Sequence, residues 1–208
     1  VRLFAIYATS ITCGFCLMAL EILGARLLYP SFGSSIDVWA AIITVFILSL
    51  SIGYVIGGRI ADKSSDNRAL AWIVLGAGVL YLTLPIYALS ASEALGDAMG
   101  DLRFGVLVAG LVLFLLPSLL LGMVSPVLVK LAFVSAERVG RTTGTLYAIG
   151  SVGNVLGILV TDYVLLEHVP LNANLLWMGC VLVVTGLLHL ALRLQATATP
   201  APVAAQGA

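Results

Sequence analysis

The chain has 208 residues, of which 61% are hydrophobic and only 10% charged, and its mean hydropathy is +1.14. A water-soluble domain carries about 25% charged residues, so lipid has to be the solvent for most of this surface. The formal net charge is zero, which argues against a nucleic-acid partner, because binding phosphate needs a basic stripe, and the length suits a single domain.

A helix crossing a bilayer needs about 20 mostly apolar residues, and six segments meet that requirement, approximately 4–28, 38–60, 70–90, 104–130, 143–166 and 172–193. The first apolar run is too long for a cleavable signal and has no small-residue cleavage site after a short core, so it reads as a span. It carries Cys13-Gly-Phe-Cys16, the spacing of thiol oxidoreductases, but at a depth where a thiolate is disfavoured. With Cys180 also in an apolar run, the three cysteines read as packing residues and form no disulfide framework. Glu21 lies in the outer half of the same span. An ionisable group there needs a partner, water or a proton. Arg26 is five residues on, about 140° around a straight helix, so the two do not pair along it. Glu21 is therefore either a functional group or an interhelical hydrogen bonder.

The stretch 29–35 reads as a turn-rich hairpin. Asp37 opens the second span, where an acid suits a helix N-terminus. Ser49, Gly53 and Gly57 recur every four residues on that span, as Gly153 and Gly157 do on the fifth; small residues at this spacing let helix backbones approach in lipid. A short charged loop at 61–68 and an acidic stretch at 93–101 bracket the third span. In the fourth, Pro117 and Pro126 each remove a backbone donor and predict kinks around Gly122, as packing features or as a hinge. A basic loop occupies 135–141. Asn154 and Asp162 on the fifth span are eight residues apart and share a face, and 167–170 closes that span. His168 and His189 read as isolated. From 195 onward the Ala/Pro/Thr-rich tail has no periodicity and reads as disordered. The pattern holds no metal-spaced cluster, no phosphate loop and no catalytic triad, so no cofactor, metal or enzymatic activity is expected.

Basic residues set an expected orientation. Arg2, Arg59, Lys63, Arg68, Lys130, Arg138, Arg141 and Arg193 fall on the side of the N-terminus, against Arg26 and Arg103 on the other. That bias predicts both termini on the cytoplasmic side of a bacterial inner membrane. The opposite face, with Asp37, Glu93, Asp97, Asp101, Asp162 and Glu167, would gather cations or simply reflect where basic residues are kept out.

Two stretches carry a resemblance. One is Glu21-Ile-Leu-Gly-Ala-Arg26 through Gly33, then Trp39, then Gly53-Tyr-Val-Ile-Gly57-Gly58-Arg59-Ile-Ala-Asp62-Lys63. The other is Leu116-Pro117 through Gly122-Met-Val-Ser-Pro126, followed by Gly144-Thr-Leu-Tyr147 through Gly150, Gly153, Asn154 and Gly157. Both resemble the N-terminal membrane domain of membrane-linked spermidine-synthase-like proteins, in which a bundle like half of a major-facilitator transporter precedes an aminopropyltransferase-like domain. The resemblance implies an all-α, six-helix membrane bundle. It also implies a facilitator-like cytoplasmic loop at Gly58, Asp62, Lys63 and Arg68, whose later part, Ser65-Asp66-Asn67-Arg68, departs from that pattern. The synthase domain has no counterpart in these residues, so aminopropyl transfer is not expected. The reading preferred on these grounds is a non-enzymatic scaffold, accessory subunit or anchor, in contact with lipid and with other membrane subunits or copies of itself. Its alternative is a carrier of small molecules or polyamines built from half-facilitator bundles, and a remote third is a membrane thiol oxidoreductase.

Overall fold

A computed structural model describes residues 2–63, 67–99, 102–133 and 138–192. The tail from 195, Arg193, Asp101, and parts of the 61–68 and 135–141 loops lie outside them. Within the described residues the chain forms six long helices: α1 (Arg2–Phe32), α2 (Ile36–Lys63), α3 (Arg68–Ala98), α4 (Leu102–Ala132), α5 (Val139–His168) and α6 (Leu171–Leu192). Each is long and apolar enough to cross a bilayer, which makes the chain a multi-pass membrane protein by the length and composition of its helices.

Each expected segment falls on one of these helices within the described residues, and several helices extend beyond it. α1 continues through Pro30 to Phe32, where a hairpin was expected, and the chain turns only at 33–35, with Gly33 at φ 74°. The Gly33 amide closes the helix on the Tyr29 carbonyl at 2.8 Å. α3 runs to Ala98 through most of the stretch expected to be a loop. The two extensions pack together, with the Ser92 hydroxyl donating to Ser31 Oγ at 2.8 Å. Hydropathy marks where lipid ends; hydrogen bonding and packing decide where a helix ends. α4 stays helical across Pro117 and Pro126. α5 holds a feature that the apolar pattern does not signal: its α-helix gives way at Thr161–Leu165 to a π-helical segment before a final turn, Leu166–His168.

α1 is the central helix and touches all five others, while α2 packs on α4, α3 on α4 and α6, and α5 on α1. Small residues set these distances. A methyl group placed on Gly53 would lie 2.5 Å from the Leu119 carbonyl oxygen, and one on Gly57 would lie 2.6 Å from Met123 Cα and 2.8 Å from Pro126 Cγ. On α5, a methyl group on Gly153 or Gly157 would lie only 2.9 or 3.0 Å from the Cα atom of Ile11 or Phe15 respectively. Gly122 seats against Leu50. Lipid supplies no hydrophobic drive between helices, so backbone contact of this kind is what holds such pairs. Leu20, Leu23, Phe46, Tyr81 and Phe114 fill the centre, with the Phe46 and Phe114 rings 6.1 Å apart.

Candidate functional site: a polar groove beside the central helix

α5 lies against α1, yet leaves a gap toward α2 and α4. A cavity of about 160 Å³ occupies it, lined among others by Ser10 and Cys13 of α1, Tyr54 of α2, Ser125 of α4, and Tyr147 and Asn154 of α5. Toward the end of the bundle that carries Lys63 and Lys130, a wider cavity of about 430 Å³ shares Tyr147 and Val129 with the first and is bordered by Asp62, Lys130 and Thr143. The two form one groove, open sideways: Tyr54 and Tyr147 are about half exposed.

Most of the polar groups here have no protein partner. Ser10 donates weakly to the Leu146 carbonyl at 3.4 Å, whereas the side chains of Tyr54, Tyr147, Ser125, Ser151 and Asn154 make no hydrogen bond among the described residues. In a hydrocarbon setting unpaired polar groups are unfavourable, so such a groove calls for water, a ligand or a covering protein. Among the described residues no charged side chain lines the inner cavity.

The sequence-predicted site residues divide. Asn154 lies in the groove, against α1: a methyl group on Gly14 would meet its Oδ1 at 2.7 Å. Asp162 is exposed on the π-helical segment and does not line the groove. Glu21 is half-buried on α1 and forms no ion pair or hydrogen bond among the described residues. Arg26 is exposed, its guanidinium 5.8 Å from the Tyr29 ring centre, beside a separate cavity near Pro85 and Asn172. The structure therefore does not join Glu21 to Arg26. In the facilitator-like stretch, Gly58 meets nothing within 4 Å, Lys63 and Arg68 are exposed, and Asp62 borders the groove mouth. A methyl group on Gly53, Gly57, Gly122, Gly153 or Gly157 would run into a neighbouring helix; Pro117 is buried in α4, and Pro126 lies beside Gly57. Cys13 and Cys16 are buried and Cys180 is exposed, all three free. Among the described residues no group of His, Cys, Asp and Glu is placed to hold a metal ion.

Sequence reading set His189 aside as isolated, and the structure corrects this. His189 is buried, with Nε2 2.7 Å from Thr9 Oγ1. The Thr9 hydroxyl donates to the Ala5 carbonyl at 2.8 Å, so Nε2–H is the donor in the first contact and Nδ1 is left as acceptor. Asn67 meets both ends of the residue, its amide 3.4 Å from Nδ1 and donating to the His189 carbonyl at 2.6 Å. This knot ties α1, the start of α3 and α6 together. A histidine near the end of a largely apolar last helix was the available signal, since an intramembrane imidazole has to find partners. His168, by contrast, is exposed and donates from Nδ1 to the Val164 carbonyl at 2.8 Å.

Fold and groove together define the class: a six-helix bundle of membrane-spanning proportions with one polar, laterally open side. No family model, curated protein or solved structure matches the chain.

Proposed function

We propose that this chain is a non-enzymatic subunit of a larger membrane assembly, and that a second membrane-embedded bundle seats over the groove between α2 and α5. The observation that carries this reading is the state of α5. Only 17% of its apolar window is buried, against 33% or more in the other five helices. Its Gly140 and Gly144 meet nothing within 4 Å, as does Gly58 across the groove on α2. Glycine inside a helix costs about 1 kcal/mol relative to alanine, and elsewhere in this bundle glycines are placed where another helix comes close. Unused glycines on both rims, with unpaired phenols, hydroxyls and an amide between them, suit a surface that receives another helix pair.

The resemblance to the membrane half of spermidine-synthase-like proteins supports the same role, that of scaffold or anchor, and the basic bias of one end supports a bacterial inner-membrane placement with that end cytoplasmic. A carrier of small molecules is the second reading, favoured by the polarity of the groove. The test is purification in mild detergent with native mass spectrometry, on the wild type and on Gly144→Leu and Ser151→Leu. The subunit reading expects a stoichiometric complex that these exposed-face variants dissociate without unfolding the bundle. A lone monomer in which neither variant changes anything overturns it.

A further inference from the structure

Ser10, Gly14 and Leu17 line the inner cavity from α1, and the spacing of four and three continues to Glu21, one turn beyond the cavity on the same face of the helix. Glu21 is half-buried with no partner among the described residues.

What stands opposite can be read from helix register. α1 and α4 run antiparallel, since Arg2 donates to the Leu131 carbonyl near one end while a methyl on Gly24 would lie 3.1 Å from the Phe114 ring near the other. Three residues back from Gly24 and three or four on from Phe114 bring Glu21 level with Pro117 and Ser118. Ser118 is fully buried, and its Oγ has no hydrogen-bond partner. The buried serine of α2 shows the ordinary alternative: the Ser49 hydroxyl donates to the Val45 carbonyl one turn back at 2.6 Å. Ser118 does not do this, although Pro117 beside it has no N–H to offer the preceding turn. Ser118 comes three residues before Leu121 and seven before Ser125, both of which line the inner cavity, so it shares their face of α4. At the same depth on α5, four residues beyond Gly157, Thr161 is also fully buried with an unpartnered hydroxyl. It opens the π-helical segment that packs on α1, and π-bulges concentrate at functional sites.

We propose that Glu21 and Ser118 form an intramembrane binding site for a monovalent cation, reached along the groove. The donor set is made of acceptor oxygens: one carboxylate and a free hydroxyl, approached past the phenols of Tyr54 and Tyr147 and the amide of Asn154. Among the described residues no basic side chain lines the inner cavity, so an anion would meet no compensating charge there, and Arg26, the nearest base in sequence, lies over the Tyr29 ring beside a separate cavity. A carboxylate in low dielectric needs a compensating positive charge, and a single carboxylate matches a single charge. Divalent cations of the calcium type gather more ligands, several of them carboxylates. Aromatic faces along the way suit a cation and disfavour an anion. This site does not depend on what covers the groove.

The experiment is carbodiimide labelling of the full chain in liposomes, with the adduct at Glu21 read by mass spectrometry. A hydrophobic carbodiimide should modify Glu21, and saturating Na⁺, K⁺ or methylammonium should slow the reaction roughly tenfold, as near-complete occupancy requires. Protection by Na⁺ or K⁺ alone identifies an inorganic ion; protection by methylammonium alone identifies an ammonium ligand. Glu21→Gln removes the adduct. Ser118→Ala retains it, but needs several-fold more cation for the same protection. No adduct at Glu21, or an adduct indifferent to all three cations, overturns the proposal, as does unchanged protection in Ser118→Ala.

Discussion

Thr9 and His189 are 180 positions apart in the chain, and their side chains meet at 2.7 Å inside the bundle. The contact closes the first helix on the last. Replacing His189 by Leu removes the imidazole and leaves the Thr9 hydroxyl and the Asn67 amide each short of a partner, and Asn67 Oδ1 is already unsatisfied. Loss of a buried partner is expected to cost about 1–3 kcal/mol. Thr9→Val leaves the buried Nε2–H of His189 without its acceptor and should cost a similar amount. Thermal unfolding in detergent should show a loss for both variants, and a His189→Leu protein as stable as wild type would remove the knot from any account of the fold.

The glycines divide into two groups with opposite expected behaviour. Gly57→Ala drives a methyl to 2.6 Å from Met123 Cα, and Gly153→Ala drives one to 2.9 Å from Ile11 Cα. Backbone cannot retreat as a flexible side chain can, so each should destabilise by about 1–3 kcal/mol as overpacking does. Gly58→Ala and Gly144→Ala meet open space, and improved helix propensity should make them neutral or stabilising by up to about 1 kcal/mol. Unfolding curves of the four variants in one detergent check the division. If Gly144→Ala destabilises as strongly as Gly153→Ala, α5 is covered in a way the bundle does not describe.

The helices were readable because lipid imposes a length and a composition on each span, and the close contacts were readable because small residues recur at a fixed step, as in Ser49, Gly53 and Gly57. Contacts between distant segments were not readable. His189 and Thr9 follow different local patterns, and only the three-dimensional arrangement makes them neighbours. The free hydroxyl of Ser118 was not readable either, since a serine in an apolar helix looks alike whether it bonds its own backbone or is left free. Helix ends beyond the hydrocarbon were missed because residues 91–98 are acceptable helix formers without being apolar. The π-helical turn at Thr161–Leu165 is a matter of hydrogen-bond register, to which hydropathy is blind.

Asp37 and Arg103 link the first turns of α2 and α4, with the guanidinium Nε 3.5 Å from Oδ1. The pair is one that composition alone did not single out among the outer acids. Both side chains are well exposed, at 44% and 77%, and pairs of this kind contribute about 0–1 kcal/mol and are screened by salt. Asp37→Asn should therefore shift the unfolding midpoint little at low ionic strength and not at all in molar salt. A large, salt-insensitive loss would mean that Asp37 acts through the α2 N-terminus, where a carboxylate is favoured by the helix dipole.

The cysteines separate by access. Cys13 and Cys16 are 4% and 1% exposed, while Cys180 faces outward on α6. A membrane-permeant maleimide applied to the folded protein in detergent should modify Cys180 and spare the other two, and denaturation should bring all three into reaction, as counted by intact mass. The Cys16 position adds a structural detail: its carbonyl, not its thiol, accepts the Tyr81 hydroxyl at 2.7 Å. Cys16→Ala should keep that bond and lose only the contacts of one sulfur, an effect of about 1 kcal/mol by the measure of a small core truncation. A thiol oxidoreductase has to present its reactive sulfur to a partner thiol. Rapid labelling of Cys13 or Cys16 in the folded state would therefore reopen the redox reading, and slow labelling that tracks unfolding would leave both thiols as packing atoms of α1.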